Sequence, residues 1–345
     1  MPPERVTVPA PQLEQLLTDI YVAHGLRAAD AATLARVLVW ANLRGIDSHG
    51  VARALRYVEL CEKGDANRMP EIAVSHPRPA VLLVEADRAP GPVALDAAMR
   101  AAIQTAHETG VAWAAVRATT LTGAIGYYTT LAAEAGMIGI GIVAGMPNMA
   151  YTGARGAAVA TSPLSIAVPS ERHETVLLDM ATAVVALGKI TQYKNRGEQL
   201  PPGLAVTKDG EPTTDPELAA VPLPLGGAKG SGMSLAFELL TSVLTGNAIV
   251  SAFHAGDKRH RQNAAVVALD VAAFTPLDDF RRSVDETVDA LKALPRQDGT
   301  DEILVPGERG ARTQAERRVS GVPVPKKVWE SLLAEAEQLG VAAPA

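Results

Sequence analysis

A chain of 345 residues with 48% hydrophobic and 20% charged residues is long enough to bury one large core or two ordinary ones and has the balance of a globular protein. A formal net charge of −6 leaves no basic excess, which argues against nucleic acid and anionic membrane as partners. Cys61 is the only cysteine, so an internal disulfide and any site of several thiolates are excluded, and its setting predicts core packing on a helix.

The opening "MPPERVTVPAPQ" has no basic segment leading into an apolar run, and no apolar stretch reaches the roughly 18 residues of a membrane span, so a soluble cytoplasmic protein is expected. Leu13, Leu16, Leu17, Ile20 and Tyr21 then recur at helical spacing, and Leu34, Val37, Leu38 and Ala41 repeat the pattern. A third helix is predicted from His49 to Lys63, stopped by Gly64. Beyond these 70 or so residues of helical unit the pattern changes. The runs "AVLLVEA", "VAWAAVR", "MIGIGIVA", "LSIAV", "TVLLD" and "AAVVALD" read as strands, with alanine-rich helices expected at 92–109, 123–135, 181–196 and 230–245. That alternation predicts an α/β fold, a sheet layered with helices, and a last amphipathic helix is expected from Lys326 to Leu339.

The stretch "GMIGIGIVAG", Gly136 to Gly145, has the glycine spacing of a dinucleotide-binding turn but the wrong surroundings. Such a turn needs a strand before its glycines and a helix after them. Here a helix precedes, the glycines lie among Ile and Val, and Pro147 comes next. A buried strand is expected, with small residues that let another layer approach closely.

Chemistry is concentrated in "NLRGIDSHGVARALRY", Asn42 to Tyr57. With Asp47 or Ser48 capping the third helix, His49, Arg53 and Tyr57 would stand on one face. Histidine can move a proton near neutral pH, arginine offers a fork to a carboxylate, and tyrosine supplies a hydroxyl or an apolar wall. By spacing alone, a solvated polar face with a capping histidine accounts for the same stripe.

Five blocks shift that balance: "RGIDSHGVARALRYVE", "GAIGYYTTLAAEAGMIGI", "LLDMATAVVALGKI", "PLPLGGAKGSGMSLAFELL" and "ILVPGERGARTQAERRVSGVPVP". In this order and spacing, across almost the whole chain, they resemble the type 2 malate/L-lactate dehydrogenase family. That family includes L-sulfolactate, ureidoglycolate and 2,3-diketogulonate oxidoreductases and Δ1-piperideine-2-carboxylate reductases. The resemblance implies an NAD(P)-dependent dehydrogenase or reductase acting on a CH–OH or C=N bond beside a carboxylate. It implies a homodimer, with a non-Rossmann NAD(P)-binding domain of mixed, mostly antiparallel sheet and helices at 119–279. A helical substrate domain would be formed by residues 1–118 joined by 280–345.

Carried over by the same resemblance, His49 corresponds to the proton donor, Ser48 to the residue supporting it, Arg53 to the ligand of the substrate carboxylate and Thr161 to a substrate-contacting threonine. Tyr57 joins them as a substrate-side residue. The roles make chemical sense: reduction of a 2-keto acid puts negative charge on the carbonyl oxygen, a protonated histidine can neutralise it, and an arginine fork fixes the carboxylate. The cofactor-contacting segments match Thr122, Gly123, Ala124, Ile125 and Gly126; Asp179, Met180 and Ala181; Lys229; and Pro306, Gly307, Glu308, Arg309, Gly310 and Arg312. Lys229 among glycines suits a phosphate, although an exposed lysine in a turn before a helix would look the same. Lys189 lies where some relatives carry an acid of the proton relay and others this lysine, which makes it an electrostatic helper at most.

The family pattern breaks in three places around one site. Leu121, in "TTLTGAIGYY", stands where many relatives have a histidine, Ser162 where asparagine is usual, and "AGMPN" replaces a more polar segment. The departures point to an altered substrate, a different proton donor or lost activity. His24, His76, His107, His173, His254 and His260 have no acidic or serine neighbour at useful spacing and are expected to be structural or on the surface. No cluster of His, Cys and carboxylates has the spacing of metal ligands. The leading expectation is thus interconversion of a 2-keto and a 2-hydroxy acid with NAD or NADP. The alternatives are reduction of a cyclic imino acid and a non-catalytic paralogue that keeps the cofactor cleft. The basic run "DKRHR", 257–261, fits a 2′-phosphate but also an ordinary solvated loop, so both cofactors stay open.

Overall fold

A computed structural model describes residues 4–344. At its start, the strand Arg5–Val8 pairs antiparallel with Val322–Pro325, so the two ends of the chain close one unit. Helix Ala10–Ala23 buries Leu13, Leu16, Leu17, Ile20 and Tyr21, the stripe that the spacing predicts. In helix Ala28–Leu43, Leu34 and Leu38 face that same helical core, whereas Val37 joins the core under the main sheet. One helix therefore reaches both cores, and its C-terminal end carries Trp40 and Asn42 to where they meet. Cys61 is buried in helix Ala54–Glu62, as expected.

The main sheet has seven strands, in the order Ala73–Arg78, Val81–Glu85, Val111–Thr119, Gln262–Asp270, Met137–Gly145, Leu164–Val168 and Val176–Met180. Every neighbouring pair is antiparallel except Val81–Glu85 with Val111–Thr119. All six expected strands are present; the exposed edge strand Ala73–Arg78 is an addition. The expected division at residues 118 and 119 runs through this sheet, because three of its strands precede residue 120.

Small residues set the spacing of the layers. Ala112, Ala114, Ala264 and Ala268 are fully buried and let helix Gly91–Thr109 lie close to the sheet. The strand Met137–Gly145 bears out the packing role of its glycines: a Cβ on Gly139 would sit 2.3 Å from the Thr129 carbonyl oxygen of helix Gly126–Glu134. Such closeness forbids any side chain there.

Several helices differ from expectation. The segment 181–196 is helical only over Leu187–Arg196, because the isolated bridge Ala183–Pro224 keeps its first residues extended. The helix expected at 230–245 begins earlier, at Ala228, and beyond Glu238 widens into a π-helical turn, Leu239–Val243. Helices Leu277–Lys292 and Glu308–Ser320 are not among the expected elements, although Leu277, Phe280, Val284, Val288 and Leu291 recur at helical spacing in the first; the second buries only Ala311, so little apolar periodicity marks it. The last helix, Lys326–Gln338, falls where predicted. No helix among the described residues is long and apolar enough to cross a membrane.

Candidate active site

Gly45, with φ of 76°, ends helix Ala28–Leu43 and releases the chain toward Ser48 and His49. The continuous third helix expected from His49 does not form. Instead Asp47–His49 and Val51–Arg53 are two short 3₁₀ turns broken at Gly50, and the α-helix starts only at Ala54. The cause is Asn42, whose side-chain oxygen accepts from the Val51 N–H at 2.7 Å and supplants a helical bond. Neither Asp47 nor Ser48 caps a helix, which corrects that expectation. Asp47 accepts from Asn42 Nδ2, and the Ser48 hydroxyl lies 3.0 Å from His49 Nδ1.

His49 and Arg53 nevertheless remain together. The Arg53 Nε–H donates to the Ser48 carbonyl at 3.0 Å, and the guanidinium is exposed. Burial pushes the His49 pKa below the ordinary 6.5, and the Arg53 charge pushes it the same way. Ser48 engages Nδ1 of the ring, which leaves Nε2 as its other nitrogen. Tyr57 is turned inward, 2% exposed, with no partner for its hydroxyl among the described residues. That hydroxyl would lie 3.3 Å from a Cβ on Gly123, so Tyr57 touches the glycine turn from behind. Helix Leu187–Arg196 begins against the same corner, where a Cβ on Gly188 would be 2.8 Å from Ser48 Cβ; Lys189 comes next, exposed.

The other named segments gather around the end of strand Val176–Met180. The Gly126 N–H donates to Asp179 Oδ2 at 3.0 Å, and a Cβ on Gly126 would collide with that carboxylate and approach Trp40. Burial raises the Asp179 pKa to about 6, opposed by the Gly126 N–H and by Arg44. Thr122 N–H donates to Gln262 Oε1 and its carbonyl accepts from the Tyr128 hydroxyl, which fixes the turn at both ends, with Ala124 and Ile125 buried between. Just past Met180 and Ala181, Thr182 donates twice to the Thr161 carbonyl, and the Thr161 N–H donates to Asn148 Oδ1.

Leu225 N–H reaches the Thr182 carbonyl, and there is no room for a Cβ on Gly230, 2.5 Å from that oxygen. Gly226 and Gly227 adopt φ of 58° and 62°, and helix Ala228–Glu238 opens after them without a side-chain cap, with Lys229 exposed in its first turn. Pro306 accepts from the Leu177 N–H, and the Gly307 carbonyl accepts from Arg44 Nη2. Gly310 also lies against the Arg44 guanidinium, which stacks 5.3 Å above Trp40. In that segment Glu308 is occupied by Lys292 and the Val305 N–H, and Arg312 by Glu302, while Arg309 is exposed.

Of the departing residues, Leu121 is half-buried against the helical core, and Ser162 is turned inward, 3.1 Å from the Ser234 hydroxyl. Arg44, Asn42, Asn148 and Gln262 carry no signal in the sequence, since each acts through a partner away from it along the chain. The basic run 257–261 is partly neutralised from within, Asp257 pairing with Arg259 and Arg261.

Comparison with known proteins decides the family. The family model described as malate/L-lactate dehydrogenase matches residues 8–333. The chain belongs to that family. It is 34% identical to malate dehydrogenase of Pyrococcus abyssi, over 97% of this chain and 96% of the relative. It is 33% identical to the NAD(+)-dependent ureidoglycolate dehydrogenase of Escherichia coli K12, over 94% of each chain. The solved structure of malate dehydrogenase from Pyrococcus horikoshii superposes with a TM-score of 0.89 at 31% identity, covering 99% of this chain and 97% of that one. This member of the malate/L-lactate dehydrogenase family is accordingly a dehydrogenase acting on 2-hydroxy acids or imino acids, and its family uses a nicotinamide cofactor.

Proposed function

We propose that the chain interconverts a 2-keto acid and its 2-hydroxy acid with NAD or NADP, with His49 as proton donor and acceptor and Arg53 holding the substrate carboxylate. The observation that carries this is the Ser48–His49–Arg53 corner: an imidazole tied at Nδ1, beside an exposed guanidinium. The sheet side fits a dinucleotide. Gly226 and Gly227 in left-handed conformations, an uncapped helix start and Lys229 suit a phosphate, and Gly126, Asp179 and Gly307 line the adjoining strand end. When bound, the nicotinamide supplies or accepts the hydride.

The chain's own residues do the rest. Arg53 orients the carboxylate, so that one face of the adjacent carbon is presented. His49 gives its Nε2 proton to the oxygen as negative charge develops there, and Ser48 holds the ring. A carboxylate seated on Arg53 cancels one of the two causes that depress the His49 pKa, so substrate binding favours the protonated donor. Thr161 completes the substrate side, Tyr57 backs the glycine turn from the buried side and so does not take the substrate-side place expected of it, and Lys189 contributes positive potential only.

A second reading, reduction of a cyclic imino acid, is favoured by Leu121: the aliphatic side chain cannot move a proton, and an iminium carries its own positive charge. We further propose a homodimer, supported by the row Leu235, Leu239, Leu240, Val243 and Leu244, all exposed on one helical stretch. A fully active monomer by light scattering would refute it. The functional test monitors consumption of NADH and NADPH by absorbance with panels of 2-keto acids and cyclic imino acids. Turnover of one class identifies the substrate; cofactor binding with no turnover of any acid would leave a non-catalytic paralogue.

A further inference from the structure

The turn carrying His49 is closed by only two short-range backbone bonds, His49 N–H to the Ile46 carbonyl at 2.9 Å and Gly50 N–H to the Asp47 carbonyl at 3.4 Å, so side chains from outside brace it. Asn42, 1% exposed, grips it on both sides: Nδ2 donates to Asp47 Oδ1 at 2.8 Å, and Oδ1 accepts from the Val51 N–H at 2.7 Å. Gly50 crosses over that amide so closely that a Cβ would lie 2.1 Å from Asn42 Oδ1. Asp47 is tied in turn to Arg317 of helix Glu308–Ser320, whose Nη1 donates to Asp47 Oδ1 at 2.8 Å and also to the Asn42 carbonyl. Arg5 stands at the rim, 4.0 Å from the other carboxylate oxygen. The Arg317 and Asp47 side chains are only 14% and 27% exposed, so the pair is better shielded than an ordinary surface ion pair. At its other end the same helix starts at Gly307, held by Arg44 beside the strand end.

We propose that Arg317, acting through Asp47 and Asn42, is a positioning residue that sets where the His49 imidazole stands relative to a substrate on Arg53. The proposal rests on the assignment of His49 as proton donor. Arg317 touches neither substrate nor cofactor in this scheme; it fixes the turn. Displacement of a catalytic group by about 1 Å can cost on the order of 100-fold in rate, so a brace remote from the chemistry has a measurable effect. The geometry also supplies a chemical control. Both bonds come from one nitrogen, Nη1, so a lysine, one bond shorter, keeps the charge and a donor for Asp47, and a methionine keeps neither.

The test uses the full chain and measures kcat, cofactor KM and unfolding temperature for Arg317→Met, Arg317→Lys, His49→Asn and the double variant His49→Asn/Arg317→Met. Arg317→Met is expected to lower kcat by about 10- to 100-fold with cofactor KM held within about twofold, and Arg317→Lys to recover most of the loss. In the His49→Asn background the methionine should cost nothing further, because the group being positioned is gone. Asp47→Asn, which keeps an acceptor for Asn42 and removes the charge, should lower kcat by roughly 3- to 10-fold, again only while His49 is present. It serves as the second variant should Arg317→Met fold poorly.

The proposal is overturned if Arg317→Met keeps the parental kcat, or if it costs as much without His49 as with it. Equal losses for Met and Lys, together with a lowered unfolding temperature, would show a merely structural tie and overturn it too. Retention of activity by His49→Asn would remove the assignment of His49 and this proposal with it. Loss in His49→Asn alone, with Arg317→Met intact, removes only the brace.

Discussion

On the helical side of the site, Ser48, His49 and Arg53 sit on a turn that the side chains of Asn42, Asp47 and Arg317 brace. On the sheet side, Gly126, Gly226, Gly227, Gly230 and Gly307 offer mostly bare backbone, kept in place by backbone bonds from Thr182, Leu177 and Leu225. In the proposed reading the first wall exchanges a proton and the second holds the cofactor. Even the glycines differ among themselves. Gly139 is extended and admits the Thr129 carbonyl of a packed helix, whereas Gly226 and Gly227 take left-handed angles and open a helix that no side chain caps. Glycine spacing alone therefore says little about phosphate binding; the backbone conformation of the glycines and the helix start beyond them decide.

If the two walls divide the work in this way, substitutions on each should separate in kinetics. The largest effect belongs to His49→Asn, expected to lower kcat by about 10²–10⁴-fold while cofactor binding survives. Unchanged kcat across the neutral range would leave the turn without a catalytic part. Next comes Lys229→Ala on the sheet side: loss of a charged contact to phosphate should raise cofactor KM by about 10- to 100-fold with little change in substrate KM. A rise in substrate KM alone would reverse the assignment of the walls.

Arg53→Lys keeps the charge and loses the fork, so substrate KM should rise roughly fivefold at constant cofactor affinity. Equal kinetics for variant and parent would remove Arg53 from the site. The smallest effect is in pH. Reduction requires protonated His49, and in the free protein its pKa lies below 6.5, so kcat/KM for reduction should fall as pH rises through that lower value. With a carboxylate on Arg53 the imidazolium is less opposed, so the corresponding limb of kcat should lie at higher pH. Coincident limbs, or the reverse order, would mean that Arg53 does not face the bound acid.

The histidines show why part of the site is illegible in the sequence. His24 and His173 pair with Glu335 and Asp289 from far along the chain, and not with the acids Glu171 and Glu174 beside His173 in the sequence. The structural role expected of them stands, but its partners exist only after folding. The same holds for Arg44, whose contacts with Gly307 and Gln314 cross more than 260 residues. Helix Glu308–Ser320 escapes periodicity because it buries almost nothing and is held by ion pairs and by its tie to the His49 turn.

Local periodicity determined the helical stripes and the six core strands, because burial on one face imposes a repeat of 3.6 or 2 residues wherever a chain packs on a core. Motif order determined the family, since five blocks in sequence are too specific to be accidental. Only the tertiary structure decided that His49 stands on a broken 3₁₀ turn, that Tyr57 faces inward, and that one strand end collects the glycine segments. The physical reason is shared: each of these depends on a hydrogen bond or a steric limit between residues distant in sequence, such as Asn42 against Gly50 and Arg317 against Asp47, and no local pattern records such a contact before the chain has folded.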